Sequence, residues 1–138
     1  MKQFYSCIDA LLPAPQPEQH ELSKKKANKE GGQIVFYGAE EYRVVKQQPF
    51  ILKKLQRTPG IDGVVFFSID QFCYGGTFNL KLLRDILKLK LSVHFAREDI
   101  SFNSFDEVME KFITLSAYFH AFQRKRNISA AEILGVLA

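Results

Sequence analysis

Tryptophan is absent from this chain, and cysteine occurs only twice, as Cys7 and Cys73. Two isolated thiols give no zinc-like spacing and no disulfide framework, and they fit a reducing compartment. No apolar run approaches the roughly 18 residues needed to cross a membrane. The opening MKQFYSCIDALLPAP is interrupted by Gln3, Ser6 and Asp9, so no secretory leader is expected. These absences together point to a cytoplasmic protein with no membrane partner. Charge of one sign is also scarce: 19 basic against 15 acidic residues leave +4, a weak pull toward anionic partners. The 138 residues, 46% of them hydrophobic, are enough to bury one core.

What is present is organised around Gly60 to Phe102. The run Val64-Val65-Phe66-Phe67 is short and continuous, as expected of a strand buried on both faces, and it leads into Asp70. Asn79 caps a helix to about Leu89 with Leu80, Leu82, Leu83, Ile86 and Leu87 on one broad face. Leu91 to Ala96 then reads as the next strand. Strand, helix, strand implies a parallel sheet, and in such sheets ligands bind beyond the carboxyl ends of the strands. The loop from Asp70 to Gly76 is therefore the expected seat of any chemistry.

The flanking segments follow the same alternation. Lys2 to Ile8 is the first strand, with Asp9 opening the loop at its end. Pro13, Pro15 and Pro17 should keep helix from starting before Glu18, after which a helix runs to Lys29 with a thin apolar face. Gly31-Gly32 ends it, Gln33 to Tyr37 forms the second strand, and Gly38 to Gln48 reads as a polar loop. Pro49 suits the first turn of a helix whose buried stripe is Phe50, Ile51, Leu52 and Leu55. Ser104 and Glu107 make a capping box for a long helix. Its apolar residues, among them Met109, Phe112, Leu115, Tyr118, Phe119 and Phe122, exceed one stripe and predict a second surface to cover. Ser129 and Glu132 open a short final helix. The expected fold class is α/β: a single domain with a mostly parallel sheet of about four or five strands flanked by helices. Residues 1–104 hold the sheet, and residues 105–138 hold the long helix and terminal helix of the same domain.

The pattern Asp62-Gly63-Val64-Val65-Phe66-Phe67-Ser68 followed by Ile69-Asp70-Gln71-Phe72-Cys73-Tyr74 resembles the catalytic domain of the serine recombinases, the resolvase and invertase family. Glu98-Asp99-Ile100 echoes that family's Glu-Gly-Ile segment. The resemblance implies a resolvase-like fold and a long helix that forms a homodimer and continues toward DNA. It also implies a serine nucleophile in a Tyr-x-Arg-Val-Ser pattern after the first strand, with arginines around the phosphate. The matching stretch here is Tyr5-Ser6-Cys7-Ile8-Asp9. Cys7 stands at an arginine position and Asp9 at the serine position. Gln48 before Pro49, Gln71 and Tyr74 stand at the remaining arginine positions.

Attack on a phosphodiester needs a nucleophile and positive charge to neutralise the developing anion. Losing one positioned donor commonly costs about 3 kcal/mol, and here several are replaced together. The expectation is a catalytically inactive domain acting as a regulatory or protein-interaction module, with Cys7, Asp9, Gln48, Asp70, Gln71 and Tyr74 as a vestigial pocket and no cofactor. Ser6 is one residue from the nucleophile position, which on a strand turns it to the opposite face.

Two alternatives stay open. Lys24, Lys25 and Lys26, with Arg124, Lys125 and Arg126 after the long helix, are candidate phosphate contacts for a DNA-binding accessory factor in recombination. The bland reading is a solvated lysine face, and basic residues that complement a helix dipole. No helix-turn-helix follows the long helix, so only weak, non-specific DNA binding is expected. Alternatively Asp9 and Asp70, at two strand ends, could share a metal ion in a phosphate-processing enzyme, or Cys7 and Cys73 could converge there. His20, His94 and His120 lie at no ligand-like spacing and are expected to be surface or satisfied histidines.

Overall fold

The structure, a computed structural model, describes residues 1–40, 50–74, 77–111, 113, 116 and 117. Among them the strands are β1 (Lys2–Asp9), β2 (Gly32–Glu40), β3 (Gly63–Phe66), β4 (Cys73–Tyr74), β5 (Thr77–Phe78), β6 (Ser92–Phe95) and β7 (Ile100–Phe102). The helices are α1 (Gln16–Lys29), α2 (Ile51–Gln56), α3 (Leu80–Lys88) and α4 (Phe105–Glu110), with a 3₁₀ turn over Ile69–Phe72. Five strands form one sheet in the order β2-β1-β3-β6-β7. The first four are parallel, and β7 runs antiparallel to β6. The fold class read from the sequence is the one observed.

Composition explains the central strands. Phe4 to Asp9 of β1 and all of β3 are buried, as parallel strands covered on both faces must be. One face carries the main core: Tyr5, Cys7, Val64, Phe66, Val93, Phe95 and Phe102 meet Ile51 and Leu55 of α2 and Leu82, Leu83, Ile86 and Leu87 of α3. Its centre is aromatic, with the Phe66 and Phe72 rings 4.8 Å apart edge to face and Phe72 and Phe95 at 5.3 Å. The Asn79 side chain accepts from the Leu82 N–H at 3.0 Å and so starts α3.

The other face is covered by α1, and its apolar cluster is small: Phe4, Ala27 and Val65. The buried side of α1 is instead Gln19, Ser23, Lys26 and Ala27. Gln19 accepts from the Asp9 N–H and donates to the carbonyls of Asp9 and Ala14, which fastens the start of α1 to the end of β1. Lys26 reaches Glu30 and Asp99, both at 2.7 Å, fastening the far end to the turn between β6 and β7.

Several boundaries differ from the sequence reading. Helix α1 begins at Gln16, because Pro17 falls in the first turn, where no N–H is needed. Strand β2 continues through Gly38 and Ala39 to Glu40, since pairing with β1 overrides the local loop signal. The expected loop after β3 is a 3₁₀ turn followed by the β4–β5 hairpin. Strand β7 was not anticipated; Asp99 adopts φ 55 and turns the chain back into the sheet. Ser104 does cap α4, but Glu107 reaches back to the Asn103 N–H, one residue before the position a capping box requires. The continuation of the long helix beyond residue 117 and the short terminal helix lie outside the described residues, so the 104/105 division rests on sequence.

Candidate functional site at the carboxyl edge of the sheet

The carboxyl ends of β1, β2, β3 and β6 bring together Cys7, Asp9, Glu40, Asp70, Gln71 and Arg97. Asp9 is 1% exposed, and its Oδ1 accepts from the Leu11 N–H at 2.9 Å, a local turn that fixes the carboxylate at the strand end. Cys7 is buried on the same face two residues earlier, and no disulfide joins it to the equally buried Cys73. Ser6 points to the opposite face and is fully buried, out of reach of any substrate.

After β3, the Ser68 hydroxyl accepts from the Asp70 N–H at 3.1 Å while Gln71 accepts from the Ser68 N–H at 3.0 Å. This reciprocal cap shapes the 3₁₀ turn. Gln71, at a position where the resemblance implies arginine, spends its amide on the Cys7 carbonyl at 3.1 Å. It is a strut between strands β1 and β3. The backbone of Tyr74 belongs to the hairpin, and Gln48 lies outside the described residues.

Arg97 was not foreseen as a site residue. It follows β6, its Nη2 bonds Asp70 Oδ2, its Nε reaches Glu98 Oε2 at 3.0 Å, and its guanidinium lies 5.6 Å above the Phe67 ring. A cation therefore does stand at this edge, although each position matched to the family lacks one. It is bracketed by two carboxylates. Glu98 also accepts from the Ser68 hydroxyl and the Ile69 N–H, so the Glu-Gly-Ile echo holds the 3₁₀ turn in place. The available signal was position alone: Arg97 is the second residue past a parallel strand.

Glu40 was also missed, because the segment holding it read as loop. It is the register partner of Asp9 and only 5% exposed. Neither carboxylate oxygen has a hydrogen-bond partner. Burial pushes this carboxyl up to about 7, against the pull of Lys54 and the Ile51 N–H and with a further push from Asp9.

The structure pairs Asp70 with Arg97 and Asp9 with Glu40 in register. No group of three or more His, Cys, Asp or Glu suited to a metal occurs among the described residues. Of the candidate phosphate contacts, Lys24 and Lys25 are exposed on α1, whereas Lys26 is buried in ion pairs and has no charge to offer a phosphate. Arg124, Lys125 and Arg126 lie outside the described residues. So do Phe112, Leu115, Tyr118, Phe119 and Phe122 of the expected dimer surface; Met109 is 50% exposed, and Ile113 four residues on is 82% exposed. His94 is a satisfied histidine, bonded to Ser101 at 2.7 Å and Ser92 at 2.8 Å, and His20 meets the edge of Tyr37. No helix among the described residues is long and apolar enough to cross a membrane.

Strand order, antiparallel last strand and site position define a resolvase-type catalytic-domain fold. Solved structures carry the same fold: the N-terminal catalytic domain of TP901-1 integrase matches with a TM-score of 0.63 at 19% identity, covering 91% of this chain and 99% of that one. A resolvase-family site-specific recombinase from Streptococcus pneumoniae matches with a TM-score of 0.55 at 13% identity, covering 92% and 100%. No protein-family model and no curated protein matches the sequence.

Proposed function

We propose that this chain is a resolvase-fold domain that does not cleave DNA and serves as a regulatory or interaction module in site-specific recombination. The observation that carries this reading is the acid pair at the head of the site. Asp9 stands where the resemblance implies the serine, with Glu40 beside it, and a phosphodiester entering there would be repelled. Arg97, the nearby cation, is already engaged by Asp70 and Glu98. The test is incubation with nicked suicide substrates that trap covalent protein–DNA adducts. No adduct is expected, and a covalent product would overturn the reading.

The exposed Met109 and Ile113 continue into the apolar residues 112 to 122 and support a homodimer through that helix. Phe119→Glu is expected to convert the dimer to monomer in sedimentation velocity; an unchanged dimer would place the contact elsewhere. A DNA accessory role is a second reading, favoured by the exposed Lys24 and Lys25. Fluorescence anisotropy on a mixed-sequence duplex should then show binding that weakens steeply with salt. A lack of binding at low salt would leave the protein-interaction role.

A further inference from the structure

Asp9 and Glu40 are direct partners in a parallel register, so both side chains leave the sheet on one face. It is the face on which Tyr5 and Phe36, earlier in the same two strands, stack with ring centroids 6.1 Å apart. Neighbouring strands lie about 4.8 Å apart, which brings carboxyl groups at paired positions within reach of one small ion. Asp9 and Glu40 are 1% and 5% exposed. The Glu40 carboxylate has no hydrogen-bond partner on either oxygen. A buried carboxylate without a donor is unfavourable by several kcal/mol unless a counter-charge is supplied. Lys54 of α2, itself exposed, makes no ion pair with Glu40. Hard oxygen donors with room for water suit a hard divalent cation, and a site of one or two carboxylates suits one that keeps most of its water shell.

We propose that Asp9 and Glu40 form a binding site for a hard divalent cation of the Mg²⁺ or Mn²⁺ class, with water completing its coordination. The two carboxylates match the ion's charge, and the ion bridges the carboxyl ends of β1 and β2. The ion is structural, and the inference does not depend on whether the chain cleaves or binds DNA. The raised affinity of Glu40 for a proton gives the empty site a way to neutralise itself, so the ion displaces a proton when it binds.

The experiment is Mn²⁺ titration of the full chain, read by the loss of the free-ion electron paramagnetic resonance signal, with Mg²⁺ as competitor. One saturable site is expected, weakened at least tenfold in Glu40→Gln and in Asp9→Asn and unchanged in Asp70→Asn. Because Asp9 also holds the Leu11 N–H, Asp9→Asn is interpreted only if its circular dichroism matches the parent. Glu40→Gln is near-isosteric and decides the question by itself. Mg²⁺ should also raise the melting temperature of the parent but not that of Glu40→Gln. Three results would overturn the proposal: no saturable site up to millimolar Mn²⁺, binding undiminished in Glu40→Gln, or binding lost in Asp70→Asn alone.

Discussion

The two helices that cover opposite faces of the sheet are held by different forces. Helix α3 buries Leu80, Leu82, Leu83, Ile86 and Leu87, a continuous apolar face against β3 and β6. Helix α1 buries Gln19, Ser23, Lys26 and Ala27 and is held by polar bonds at its two ends. Apolar burial tolerates small shifts, since its energy follows area. Buried polar contacts do not, because a displaced partner leaves an unsatisfied group. The lesson is that a domain can be welded on one face and latched on the other, and the latches sit next to the candidate site.

The largest expected effect breaks the apolar side. Leu83→Ala removes a fully buried side chain of α3 and should lower unfolding stability by about 3 kcal/mol in urea denaturation. A loss below about 1 kcal/mol would mean that the face collapses around the gap, contrary to the packing described here.

Breaking the latch should be nearly as severe. Lys26→Ala leaves Glu30 facing the Ser101 hydroxyl without its buried cation, and about 2 kcal/mol of stability should be lost. Lys26→Met sharpens the comparison: it fills the space without the charge. If it matches Lys26→Ala, the ion pairs themselves hold α1; if it approaches the parent, the buried stem does.

A smaller effect lies in pH dependence, where two buried groups act in opposite directions. Burial raises the Glu40 carboxyl from 4.5 to about 7. The folded state then holds its proton more tightly than the unfolded chain, and stability falls as pH rises through that window. Burial lowers His94 from 6.5 to about 4. Its contribution is present above the unfolded value and is lost as pH falls through that window. The two slopes oppose each other between them. Glu40→Gln should gain about 2 kcal/mol over the parent at pH 8 and nothing at pH 4. His94→Gln should remove the acid-side loss of stability. Chemical denaturation at a series of pH values checks both, and a Glu40→Gln gain that is the same at every pH would show that Glu40 does not titrate as described.

The smallest effect is expected at Gly31, just past the end of α1. It adopts φ +82 with open space around it, so Gly31→Ala should cost only about 1 kcal/mol of backbone strain. A thermal melt resolves this, and a loss matching that of Lys26→Ala would mean the helix end depends on more than its latch.

Much of the fold was legible because its signals are local. The Val64 to Phe67 run, the Asn79 cap with its leucine face, and the prolines before α1 each reside within a few residues of the element they specify. The core on the α3 face could be read from those patterns directly. Helix α1 could be placed but not explained, since its buried face is polar and its partners are far along the chain: Lys26 and Asp99 are 73 residues apart. The resemblance to the serine recombinases located the site and identified Cys7, Asp9, Asp70 and Gln71 within it. It missed Arg97 and Glu40, which match no family position.

The sequence by itself determined the parallel α/β architecture, because periodicity, capping and turn residues act over short spans and need no partner. It also determined which recombinase-type groups are replaced. Only the tertiary structure decided how the remaining charges are spent. Strand pairing set Glu40 beside Asp9, and the end of β6 carried Arg97 onto Asp70 across 27 residues. Such pairings follow from register and crossover geometry, which hydrophobic pattern constrains only by face and never by named partner.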